Sequence, residues 1–169
     1  MALTLVATPG AANANSYCDE AFATAYHEAH PYGATWTDGD AETKKACLIT
    51  ATRLLDEQFD WFGRVVNDTQ RLLWPRDGVY DLNGYEIDDE VIPEKLQQAT
   101  AELARLLLAS DRTADNDAEA QGIKRVKAGS VEVEFDNPQS KTIPDAVVAM
   151  VGHLGRHRHS KAVAHAYRV

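Results

Sequence analysis

The sequence predicts a mainly α-helical, four-helix bundle-like domain with a β-hairpin (about 122–135), a long ordered loop (about 64–91) and extended terminal arms. Three observations point there. Apolar residues recur every three or four positions in several stretches, the mark of helices with one buried face. Ile92-Pro93-Glu94 and Ile143-Pro144-Asp145 repeat one helix-start device. A proline at the first helical position lacks only an N–H that would have no intrahelical partner, and the acid after it meets the helix dipole. Charged residues alternate with Val126, Val131, Val133 and Phe135 across Ala128-Gly129, which is the period of a hairpin.

Taken in order, Met1 to Ala14 is small and apolar, has no Lys or Arg, and is interrupted by Pro9-Gly10. It reads as an extended arm or edge strand rather than a secretory signal. Asn15-Ser16 is the expected cap of a helix from about Tyr17 to His30, with Phe22, Ala25, Tyr26 and Ala29 on its apolar face. Trp36 to Asp40 is expected to be a loop. Asp40 then caps a helix to about Phe62 that buries Cys47, Leu48, Ala51, Leu54, Leu55, Phe59 and Phe62, with Gly63 as its C′ residue. The stretch after it is long for a structureless loop, so Leu72, Leu73 and Trp74 are the expected anchors. Pro75 keeps the chain extended there. Asp77-Gly78 and Asn83-Gly84 mark turns, the second closing a small hairpin. The Pro93 helix runs to about Ser110 and buries Leu96, Ala99, Thr100, Leu103, Leu106 and Leu107. A polar linker, 112–121, follows, and the Pro144 helix ends near Gly155.

One helical domain over 1–155 and a basic tail over 156–169 account for all 169 residues. No apolar run approaches the roughly 18 residues a membrane helix needs, so no membrane partner is expected. Cys18 and Cys47, without CxxC spacing, read as two buried thiols in a reducing compartment. The net charge is −9, yet no acid follows Asp145 while Arg156, Arg158, Lys161 and Arg168 do, which leaves the rest of the chain at −13. Such an acidic body is a poor general binder of nucleic acid, because phosphate contacts need concentrated Lys and Arg. The tail reads as an interaction arm.

The chemistry-bearing residues do not assemble into a catalytic motif. His27 and His30 are three apart, where zinc proteases space theirs four apart with Glu after the first. His153, His157, His159 and His165 are interleaved with cationic Arg158 and Lys161, which oppose a metal. Asp88-Asp89-Glu90 reads as helix-start electrostatics. There is no phosphate-binding glycine loop and no nucleophile elbow, so neither enzyme activity nor a cofactor is expected. Trp61, Trp74, Tyr80 and Tyr85 raise the alternative of base stacking, but acids crowd them, and core packing is the expected role of both tryptophans. Arg53 and Arg76 are expected to pair with Asp56 or Glu102 and pin the long loop to the helices.

Arg53-Leu54-Leu55-Asp56, Trp61-Phe62-Gly63, Trp74-Pro75-Arg76-x-Gly78, Pro93, Gly122-Ile123-Lys124-x-Val126-Lys127-x-Gly129-Ser130 and Pro144 occur in one order. That order resembles the small phage proteins labelled DnaT-like single-stranded-DNA-binding, whose relatives are the head-tail adaptor, or head-completion, proteins of tailed phages. The adaptor side of the resemblance implies a helical subunit that forms a homo-oligomeric ring, commonly of twelve, beneath the portal. Such a ring extends the DNA channel and meets a head-closure or tail protein, with DNA passing unbound. It implies a virion neck protein that assembles in the host cytoplasm, with Arg156, His157, Arg158, His159, Lys161, Tyr167 and Arg168 docking on the portal. The label implies the alternative, a single-stranded-DNA-binding replication accessory.

Overall fold

Two long helices organise the chain. In the computed structural model, residues 2–113, 125–128, 131–134 and 141–158 are described. Helix α4 (Glu94–Ala109) packs along α3 (Ala41–Gln58), and three shorter helices contact α4: α1 (Glu20–Glu28), α2 (Ala34–Thr37) and α5 (Asp145–Val151). Antiparallel strand pairs decorate this core: β1 (Phe59–Trp61) with β6 (Gly155–His157), β2 (Arg64–Val65) with β3 (Arg76–Asp77), and β4 (Arg125–Ala128) with β5 (Val131–Glu134). Five helices and three two-stranded sheets among the described residues make a mixed helix-and-hairpin fold. The expected four-helix bundle is corrected accordingly, because three of the helices are too short to span a bundle.

Local chemistry explains the boundaries. Asp19, not Asn15-Ser16, caps α1, its carboxylate accepting from Phe22 N at 2.7 Å. Asn15 instead holds the N-terminal arm, accepting from Val6 N and donating to the Thr4 carbonyl. The buried face of α1 carries Ala23 and His27, one position round from the expected stripe. Trp36, expected in a loop, is buried in the single turn of α2 and donates to Thr24 Oγ1 at 3.2 Å. Asp40 caps α3 as expected, accepting from Thr43 N. Helix α3 stops at Gln58 rather than Phe62, because Phe59 and Trp61 bury alternate positions against β6 while Asp60 faces outward. Phe62 is therefore exposed. Gly63, expected as a helix C′ residue, instead turns the chain between β1 and β2 at φ +67°.

Pro93 and Pro144 each sit at the N-cap, one residue before the position expected. The apolar faces of both helices follow the sequence periodicity: Leu96, Ala99, Thr100 and Leu103 on α4 meet Ile143, Val147, Val151 and Leu154 around α5 in one core. Helix α5 ends at Val151, short of the expected Gly155, and the chain returns as β6. The expected hairpin is present, its β4–β5 register pairing Ala128 with Val131, while residues 114–121 of the expected linker and residues 122–124, 129–130 and 135 of the expected hairpin lie outside the described residues.

Candidate functional site

Many hydrogen bonds anchor the long segment between α3 and α4. Asp56, on the last turns of α3, accepts from the Tyr17 hydroxyl, from Trp61 Nε1 at 3.0 Å and from Leu73 N at 3.3 Å. Burial raises the Asp56 pKa, against the lowering pull of those three donors. Burial, reinforced by the Asp56 charge, lifts the Tyr17 hydroxyl well above the usual phenol range. Arg76 donates to three carbonyls, Phe62 at 2.6 Å, Gly63 at 2.8 Å and Leu73 at 3.0 Å. Gln70 donates to the Leu72 and Pro75 carbonyls. The pinning role expected of Arg76 is present: its hydrogen bonds go to backbone oxygens rather than to Asp56 or Glu102, while its charge acts on Asp56 and pulls that carboxyl's pKa down against the raising effect of burial. Arg53 pairs with Glu57 at 2.8 Å, and Glu102 pairs with Arg105.

Aromatic rings brace this junction from inside. Phe59 stacks on Trp61 at 4.9 Å between centroids, Trp61 meets Trp74 edge-on at 6.0 Å, and His157 meets Phe59 at 5.2 Å. Trp61 is 8% and Trp74 1% exposed, so both are core residues, as expected. The Trp74–Pro75 bond is cis. Gly78 turns at φ +72° with open space around it.

Outside that brace stands a small hairpin, 79–87, closed by the Tyr80–Glu86 bridge and by bonds from Asp81 N to the Tyr85 carbonyl and Ile87 N to the Val79 carbonyl. Asp81 Oδ1 accepts from Asn83 N and Tyr85 N, the local chemistry that makes Asp-Leu-Asn-Gly turn. Ten large hydrophobic residues are exposed among those described, and eight lie between 62 and 91: Phe62, Val65, Val66, Leu73, Tyr80, Leu82, Tyr85 and Val91, three of them on the hairpin. A shallow concavity of about 470 Å³ opens beside the hairpin, lined by Asp77, Glu86, Ile87, Asp88 and Asp89. Asp88 and Asp89 thus line this hollow in a turn ahead of α4, with Asp88 accepting from Glu90 N.

The basic tail begins on the fold. Arg156 and His157 belong to β6, opposite Asp60 and Phe59. Arg158 donates from Nε to Asp60 at 2.9 Å and from Nη1 to the Glu57 carbonyl at 2.8 Å. His159, Lys161, Tyr167 and Arg168 lie outside the described residues. His27 is buried with Nε2 3.0 Å from the Ala101 carbonyl, while His30 Nε2 lies 3.9 Å from Glu102. Cys18 and Cys47 are buried free thiols, with pKa values raised by burial. Among the described residues, no three His, Cys, Asp or Glu side chains group as a metal site.

Two contributors escaped the sequence reading. Tyr17 reaches Asp56, 39 residues away, and Gln70 bonds within the loop itself, and no local rule assigns either side chain that anchoring role. The family described as "Putative DnaT-like ssDNA binding protein" matches residues 1–169, and the chain belongs to that family. No curated protein and no solved structure matches the chain.

Proposed function

We propose that this protein is a structural subunit of a phage neck: a head-tail adaptor that forms a ring under the portal, continues the DNA channel and receives a head-closure or tail protein. One observation carries the reading. An anchored segment, 62–91, displays eight of the ten exposed large hydrophobic residues among those described, while Trp74 within it and Trp61 next to it are buried. Concentrated apolar exposure suits protein docking. Stacking of bases needs open aromatic faces interleaved with Lys and Arg, and no Lys or Arg occurs between Asp77 and Glu94. A chain of net charge −9 would also let packaged DNA slide past without capture.

The second reading is a single-stranded-DNA-binding replication accessory. The family description favours it directly, over the whole chain, and the exposed rings of Tyr80 and Tyr85 are its available platforms. A salt-controlled titration of the protein against a labelled oligonucleotide, and in parallel against purified portal rings, separates the two. The neck reading expects portal binding and negligible DNA affinity at physiological salt. Tight, salt-steep oligonucleotide binding without portal binding would replace it with the replication reading.

A further inference from the structure

The hairpin that carries Tyr80, Leu82 and Tyr85 is acidic as well as apolar. From Asp77 to Glu94 there are seven acids and no Lys or Arg. The three large side chains are 54%, 80% and 75% exposed, and the adjoining hollow is walled by Asp77, Glu86, Asp88 and Asp89. A surface of this kind fits an extended segment that is basic, free of acids and moderately apolar. The chain contains one: residues 159–169 carry Lys161, Arg168, His159 and His165 among alanines, Val163, Tyr167 and Val169, without an acid.

We propose that the hairpin and hollow of one copy receive the 159–169 segment of the next copy. The inference rests on the ring of the neck reading only in requiring contact between copies. Geometry favours the neighbour over the same chain. Strand β6 runs antiparallel to β1, so the chain reaches Arg158 beside Gln58, where Asp60 and the Glu57 carbonyl clamp it. The hairpin hangs from the other end of β1, beyond Phe62 and Gly63. At Arg158 the described chain thus points away from the hairpin of its own copy, and the eleven residues that follow it can span at most about 40 Å at roughly 3.6 Å per residue. One patch meeting a different patch on the next copy is the contact that closes rings.

The test uses the full chain, prepared light and ¹⁵N-labelled, mixed, and treated with a zero-length carbodiimide cross-linker before mass spectrometry. The expected products join Lys161 of one isotope to Asp88, Asp89 or Glu90 of the other. Sedimentation velocity should show self-association weakened about tenfold by Asp88→Lys with Asp89→Lys, and equally by Lys161→Glu with Arg168→Glu. Combining the four substitutions should restore it. Wild-type association should also weaken at about 1 M salt, where charges are screened within about 3 Å. All four positions are free of core contacts or outside the described fold, and thermal melts of each variant verify folding. Same-isotope links only, links to other acids, or association unaffected by either reversal would overturn the proposal. Portal binding is read separately. Its absence with the mixed-isotope links intact would remove the neck reading and leave this contact standing.

Discussion

The Asp56 carboxylate gathers donors from three separate segments, Tyr17 before α1, Trp61 in β1 and Leu73 in the long loop. Asp56→Ala leaves the part-buried Tyr17 hydroxyl and Trp61 Nε1 without this acceptor, each at a cost of about 1–2 kcal/mol, so denaturant titration should record a loss of about 3 kcal/mol. The carboxylate also predicts a pH signature. Burial raises its folded pKa, so the folded chain holds this proton more tightly than the unfolded chain does. Stability from the group is complete below the unfolded value of about 3.9 and is lost as pH rises through the folded value. Asp56→Asn has no such titration. Measured from about pH 4 upward, the stability of wild type relative to Asp56→Asn should decline with pH, and a flat difference would contradict the burial argument.

Within the next level of structure, the 62–91 segment keeps its shape through the short β2–β3 pairing together with the carbonyls that Arg76 gathers. Arg76→Ala removes donors from the Phe62, Gly63 and Leu73 carbonyls. It should lower the melting temperature, at a cost of about 2 kcal/mol, and open the segment to limited proteolysis. An unchanged melting temperature would show that Arg76 does not hold the loop. Two glycines give a sharper contrast. At Gly63 a Cβ would lie 2.2 Å from the Asp77 carbonyl oxygen and 2.7 Å from Val79 Cγ2, on a backbone with φ +67°. At Gly84, with φ +84°, nothing lies within 4 Å. Gly63→Ala should therefore cost about 3 kcal/mol or more, and Gly84→Ala about 1–2 kcal/mol from backbone strain alone. Equal effects on thermal melts would mean that the close approach at Gly63 relaxes freely.

For the whole molecule, acidity and buried indoles act together. Trp36, Trp61 and Trp74 are 0%, 8% and 1% exposed, and they are all the tryptophans in the chain. Addition of an oligonucleotide at about 0.15 M salt should leave tryptophan emission unchanged, since stacking a base on any of these rings requires first unpacking the core. Quenching or a wavelength shift that tracks oligonucleotide concentration would favour the DNA-binding reading instead.

Spacing, caps and turn chemistry are local, so the residues alone located the α3 and α4 buried stripes, the Asp40 cap, the turns at Gly78 and Gly84 and the presence of the β4–β5 hairpin. The Trp-Pro-Arg-x-Gly pattern also marked the anchored loop and the family. Local rules failed where two distant segments compete for one residue. Helical periodicity carries through Phe59 and Phe62, yet pairing with β6 ends α3 at Gln58 and leaves Phe62 outside. Asn15-Ser16 looks like a cap, but the N-terminal arm claims Asn15. Arg76 reads as an ion-pair partner, but three carbonyls in the folded loop satisfy its guanidinium. The tail likewise reads as a free arm from Arg156, while Asp60 and Gln58 bring 156–158 into the fold. These outcomes were decided by tertiary structure alone, because each depends on which donors and acceptors meet after the chain has closed on itself.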